Sequence, residues 1–176
     1  MITFLAILTL LAQAGLLVVL IEALIARIRR VPPSIAGALA LDSLRLAAVM
    51  AVVATASSLY FSQVRHFIPC ELCWFQRIFM YPLAIILPIA AFRRDVAVWR
   101  YALPIAVIGV AISTYHAQLE RFPNQEHIAC TTSVPCTAIW FSEFGYITIS
   151  VMALTAFASI ITLLTIGARH GTRIPS

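Results

Sequence analysis

Hydrophobic residues run along this chain in long blocks and not in the short alternation that marks half-buried strands. Five blocks stand out, at about 1–26, 44–64, 74–92, 98–117 and 144–168. Each approaches the roughly 20 residues that a helix needs to cross the hydrocarbon of a bilayer. In lipid the backbone must satisfy its own hydrogen bonds, so unbroken blocks of this length predict helices and exclude barrel strands. The pattern predicts an all-α integral membrane protein. Pro32-Pro33-Ser34 is the clearest break between blocks, and no internal repeat or low-complexity linker interrupts the rest. Pro82, Pro88 and Pro104 predict kinks inside blocks, and Gly109 predicts close helix packing. The aromatic run Ile139-Trp140-Phe141 suggests a short helix over 137–143 lying on the membrane surface.

Composition agrees with the pattern. Of 176 residues, 62% are hydrophobic and 11% charged, and the mean hydropathy is +0.98. A soluble domain averages about 45–50% apolar and about 25% charged residues. An ordinary soluble enzyme and a disordered chain are both excluded, and the length leaves room for one domain. The net charge of +5 comes from twelve basic residues, all arginine, placed at the ends of apolar blocks. That placement reads as interfacial anchoring in a lipid bilayer and leaves no nucleic-acid-binding stripe.

Arginine position also predicts orientation. The first block has no basic residue before it, and Arg27, Arg29 and Arg30 follow it. It is longer than the apolar core of a signal peptide, about 7–15 residues, so it reads as a retained helix whose N-terminus lies outside the cytoplasm. Segment 27–45 carries Arg27, Arg29, Arg30 and Arg45; segment 93–100 carries Arg93, Arg94 and Arg100; the tail 169–176 carries Arg169 and Arg173. Arg65, Arg77 and Arg121 lie on the other side. The positive-inside rule puts the first group, with the C-terminus, in the cytoplasm, so 65–73 and 118–143 face outwards. Arg121, Glu126 and His127 read as part of a solvated outer loop.

All four cysteines fall in those two outward segments. Cys70 and Cys73 form Cys-Glu-Leu-Cys at the start of the third block, and Cys130 and Cys136 bracket Thr-Thr-Ser-Val-Pro. Confinement to an oxidising side favours disulfide chemistry over inert packing. Four cysteines allow three connectivities, of which the two close pairs are the natural partition. A C-x-x-C at a helix start is a common redox geometry, because the helix N-terminus stabilises a thiolate that can attack a disulfide. Two structural staples and a four-cysteine zinc site are the competing readings.

Several neighbours bear on the first pair. Arg77 lies four residues after Cys73, on the same helical face. An arginine there costs on the order of 2.5–3.5 kcal/mol at mid-depth and less near the interface. Its cation favours a Cys73 thiolate and negative charge on an acceptor, whereas the plain alternative is an arginine snorkelling to the interface. Glu71 opposes thiolate formation if it lies close. His116, at the end of the fourth block, is placed to donate to an acceptor carbonyl, or else to serve as an interfacial residue. Trp74, Phe75, Trp140, Phe141 and Phe144 read as an aromatic belt, some of them candidates to line a slot for a ring-shaped ligand.

Taken together, Pro69-Cys70-Glu71-Leu72-Cys73-Trp74-Phe75-Gln76-Arg77, Tyr115-His116 and the Cys130/Cys136 pair before Trp140 resemble the DsbB family of disulfide bond formation proteins. The short second pair is similar to its BdbC-like branch. The resemblance covers roughly 44–168. It implies a four-helix transmembrane bundle that oxidises a DsbA-like thioredoxin-fold partner at the outer face of a prokaryotic cytoplasmic membrane and reduces a membrane quinone. On that likeness Cys70 and Cys73 are the quinone-proximal pair, with Cys73 the thiolate beside the quinone. Arg77 and His116 bind the quinone, Cys130 and Cys136 face the partner, and no metal is involved. The additional N-terminal helix, within 1–30, lies outside the four-helix pattern. A vitamin-K-epoxide-reductase-like enzyme is the nearest alternative with the same chemistry, and a non-enzymatic membrane protein with structural disulfides is an alternative from another class.

Overall fold

A computed structural model describes residues 1–30, 38–39, 42–125, 130 and 134–171. Pro32-Pro33-Ser34, Glu126, His127 and Arg173 lie outside the described residues. Among the described residues, five long helices carry the chain: α1 (Ile2–Arg29), α2 (Ser43–Leu59), α3 (Glu71–Arg93), α4 (Trp99–Arg121) and α5 (Ile149–Gly171). α2 continues through a widened π turn over Tyr60–Val64. All five are long and apolar enough to cross a membrane. Arg30 and Arg94 take left-handed backbone at the ends of α1 and α3, with basic residues in the last turn of each, where a cation meets the negative end of the helix.

Helices α2 to α5 form a four-helix bundle: α2 packs on α3, α3 on α4, α4 on α5, and α5 closes back on α2. Helix α1 stands outside this ring and packs on α5. Between helices in lipid, close packing and polar contacts replace the hydrophobic drive, which favours small residues at the seams. Ala47 and Ala51 of α2 and Ala102 and Ala106 of α4 fill that role, around Leu83 and Leu87 of α3 and Phe157 and Ile160 of α5. Gly109 lies directly under the Phe157 ring, where a Cβ would overlap the ring carbons. Outward residues such as Ile85, Ile89 and Phe92 are exposed, as a lipid-facing surface requires.

Two boundaries differ from the sequence expectation, both at the cysteine end. Helix α3 begins three residues earlier than the apolar block because Cys70 caps it: its sulfur accepts the Cys73 N–H at 3.4 Å. Helix α5 begins later, at Ile149. Phe144 and Gly145 hold left-handed backbone (φ 52° and 82°) in a turn closed by the Glu143–Ile147 pair, and Thr148 Oγ1 accepts the Val151 N–H at 3.4 Å. The expected surface helix over 137–143 is absent; the segment is irregular. Its aromatic rings pack down onto the bundle, Trp140 on Phe67 and Phe141 on Phe61, instead of presenting one amphipathic face.

Replacing Gly109 by leucine should lower the thermal unfolding temperature of the purified protein in detergent, at a cost of about 1–3 kcal/mol for overpacking. Adding Phe157→Ala should restore part of the loss; an unchanged midpoint in the single variant would show that α4 and α5 do not meet at this seam.

Candidate active site

At the outer end of the bundle the four sequence-predicted cysteines converge. Cys130 and Cys136 are joined as a disulfide, with Cα atoms 5.9 Å apart, while Cys70 and Cys73 are free thiols. Cys70, Leu72, Leu119 and Cys136 share one small buried cluster, against which Cys73 and Cys130 pack. The two sulfurs of the first pair lie 3.0 Å apart. Two thiolates on one tetrahedral zinc with Zn–S of about 2.3 Å would stand roughly 3.8 Å apart, so this spacing suits a hydrogen-bonded dithiol better than a metal pair.

His116 bridges the pairs. Gln76 Nε2 donates to its Nδ1 at 3.1 Å, which leaves the proton on Nε2. From there it reaches the carbonyl oxygen of Cys136 at 3.2 Å and Cys70 Sγ at 3.7 Å. Glu120, one turn further along α4, lies 3.9 Å from the same nitrogen. Its other carboxylate oxygen accepts hydrogen bonds from Thr148 and Ser150, both at 2.6 Å. A buried carboxylate held by two hydroxyls is a satisfied charge, not a stranded one.

The Cys70 thiol is pushed down to about 4 from its ordinary value near 9. The Cys73 hydrogen bond is the main cause; burial opposes it, and a hydrogen bond from His116 acts in the lowering direction. A helix N-terminus with its N–H aimed at the sulfur acts in the same direction.

Beside the dithiol lies an apolar chamber of about 370 Å³, within the range of small-molecule sites. Cys73, Gln76 and Arg77 face it from α3, and Phe61, Phe67 and Trp140 close its outer end. Cys70 and His116 are absent from its lining; they line a separate small cleft with Glu120 and Pro135, which Cys73 also borders. Arg77 does not snorkel. Its Nε donates to Ser58 Oγ at 3.0 Å and its Nη2 to the Ser58 carbonyl at 3.3 Å, while the guanidinium lies 5.1 Å from the Trp74 ring centre. Arg77 and His116, read from sequence as one quinone-binding set, therefore line different cavities, with Cys73 bordering both. Of the aromatic belt, Trp140 enters the chamber wall, whereas Trp74, Phe75 and Phe144 remain exposed.

Sequence reasoning missed Gln76, Glu120, Ser58, Phe61 and Phe67. A signal existed for one of them: Gln76 is a polar residue within an apolar block, and such residues are costly unless they serve a site, whereas Glu120 lies past the block ending at 117. The others announce nothing until α2 and α3 are side by side.

A family model described as disulfide bond formation protein DsbB matches residues 42–167. The chain belongs to the DsbB family. Its similarity to disulfide bond formation protein C of Bacillus subtilis is 49% identity over 117 residues, covering 66% of this chain and 85% of that protein. It is 42% identical over 120 residues to a probable disulfide formation protein of Oceanobacillus iheyensis, covering 65% and 81% of the two chains. A probable disulfide formation protein of Metapseudomonas resinovorans is also 42% identical, over 126 residues, covering 70% and 88%. No solved structure matches. This DsbB-family protein is thus a bacterial multi-pass membrane protein of the disulfide-forming oxidoreductases, akin to the BdbC-like branch. The vitamin-K-epoxide-reductase alternative is set aside. Helix α1 lies outside the matched residues.

In the reduced protein, the ultraviolet thiolate absorbance should titrate with a midpoint near 4 and not near 9. Because the folded value is lowered, the stabilisation from this thiolate is fully present above about 9 and is lost progressively as pH falls from there through about 4. His116→Ala should move the midpoint upwards; no movement would detach the imidazole from Cys70.

Proposed function

We propose that this protein reoxidises a DsbA-like thioredoxin-fold partner outside the cytoplasm and delivers the electrons to a membrane quinone. One observation carries the reading: Cys73 borders both an apolar chamber and the small cleft that holds Cys70 and His116, whereas Cys70 does not reach the chamber and packs in one buried cluster with Cys136. The chamber suits a quinone, being apolar, with an aromatic end wall and one fixed cation at Arg77. A bound quinone supplies a two-electron, two-proton sink.

The steps follow from exposure and proximity. Cys136 is buried, at 1% exposure, whereas Cys130 is partly exposed, so the partner's thiolate attacks Cys130 and Cys136 leaves. The freed Cys136 thiolate attacks Cys70 of an oxidised Cys70–Cys73 pair, its neighbour in the buried cluster, and Cys73 is released towards the chamber. The partner's second thiol then closes on its first and frees Cys130. Cys130 displaces Cys70 from Cys136, restoring the Cys130–Cys136 disulfide and leaving Cys70 and Cys73 reduced. His116 and the Cys73 thiol hold the Cys70 sulfur as an anion at this stage. The Cys70–Cys73 bond would re-form as the pair gives up two electrons and the one proton left on Cys73; the second proton needed by the acceptor would come from the medium, which took it from Cys70, and Arg77 would stabilise negative charge on an acceptor held in the chamber. The excess of arginines at the opposite end of the bundle supports an outward-facing cysteine end and a cytoplasmic C-terminus.

With a reduced DsbA-type protein supplied to the purified protein in detergent, quinone absorbance should fall, and Cys73→Ser should abolish the fall. Full turnover in that variant would sink the assignment. A partner lacking its second thiol should accumulate as a mixed disulfide with Cys130 of the unaltered protein, visible on a non-reducing gel; formation of the same adduct with Cys130→Ser would remove Cys130 as the point of attack. Arg77→His should raise the quinone KM several-fold before it alters exchange with the partner.

A further inference from the structure

We propose that α1, the helix outside the family match, is the lateral wall of the acceptor chamber, and that Gln13 latches it in place; this rests on the quinone reading. Leu5, Leu8, Thr9 and Ala12 line the chamber that also contains Cys73 and Arg77. Their spacing of i, i+3, i+4 and i+7 is one face of a helix. The Thr9 hydroxyl donates to the Leu5 carbonyl at 2.9 Å, so it is satisfied within α1 and the wall stays apolar towards the chamber.

A helix as uniformly apolar as α1 has little in its sequence to choose which face it turns inwards. Gln13 makes the choice. Its Nε2 donates to Thr155 Oγ1 of α5 at 3.1 Å, and its Oε1 accepts from the Tyr146 hydroxyl at 2.6 Å. Thr155 donates its own proton to the Val151 carbonyl at 2.8 Å, leaving its oxygen free to accept. Both ends of the Gln13 amide are thus used, in a setting where an unmatched amide finds no water. Only the rotation seen here meets both partners, and that rotation turns the Leu5–Ala12 face onto the chamber. Tyr146 belongs to the turn that precedes α5, six residues beyond Trp140 of the chamber's end wall, so the latch also ties the wall to the loop that follows Cys136. Without α1 the chamber would open sideways into lipid between α2 and α5.

The test uses the full chain with a reduced DsbA-type partner and a soluble short-tailed quinone. Gln13→Leu should raise the quinone KM roughly three- to tenfold, the factor expected for a lost interhelical hydrogen bond. The kcat at saturating quinone and the KM for the partner should hold. Tyr146→Phe, which removes one of the two contacts, should give a smaller rise. A second readout needs no turnover: with Cys70→Ser leaving Cys73 as the free thiol, a membrane-partitioning maleimide should alkylate Cys73 faster when Gln13→Leu is added. A lowered kcat with unmoved KM, or an unmoved KM with unmoved alkylation, overturns the proposal. Absence of quinone reduction by the unaltered protein overturns the quinone reading instead, and the alkylation rates then decide by themselves whether α1 walls the chamber.

Discussion

The Nε2 proton of His116 is shared between partners from two segments distant in sequence, the sulfur of Cys70 and the carbonyl oxygen of Cys136. Near a membrane interior such groups have no water to fall back on, so each polar atom must be met by another part of the chain. The imidazole is oriented from behind by Gln76, with the Glu120 carboxylate beside it, itself held by Thr148 and Ser150. That arrangement draws α3, α4, the start of α5 and the second cysteine segment onto one point. The proximity of two disulfide-forming pairs follows from it, and thiol exchange is a matter of proximity before it is a matter of potential.

Around this point the molecule separates a polar side from a dry one. Cys70 sits with the imidazole, the carboxylate and the buried Cys136; Cys73, one helical turn on, borders that cleft and alone of the pair also opens to an apolar chamber. Among the described residues, Arg77 is the charged side chain on the chamber wall, and it is tied across to Ser58 just before the widened turn that ends α2. A π turn is a recurrent feature of functional sites, where it re-aims backbone groups. Here the Ser58 carbonyl carries both Ser62 and Arg77. A cation held this way stays in the apolar phase facing Cys73 instead of reaching for the interface.

The five spanning helices, the membrane class and the confinement of all cysteines to one end were legible in the sequence. Each follows from a run of apolar residues or the position of an arginine, quantities that depend on local composition alone. The Cys-Glu-Leu-Cys pair at a helix start was legible for the same reason, and Cys70 caps α3 through its own sulfur. The segment before α5 was misread because an aromatic run looks amphipathic until its rings find Phe61 and Phe67, which come from the far side of the chain.

What the sequence determined, then, is what a bilayer enforces residue by residue: which stretches cross it, which ends carry charge, and where reactive thiols lie. Tertiary structure alone decided the partition of functional groups. Arg77 and His116 each sit within reach of the first cysteine pair, and nothing in their spacing told that one would face the chamber and the other the second pair. The rotation of α1 was equally hidden, since apolar residues lie on every side of it and the face is selected where Gln13 meets Thr155 and Tyr146. Those outcomes depend on which helices become neighbours, and contacts between residues more than a hundred positions apart leave no periodicity in the chain.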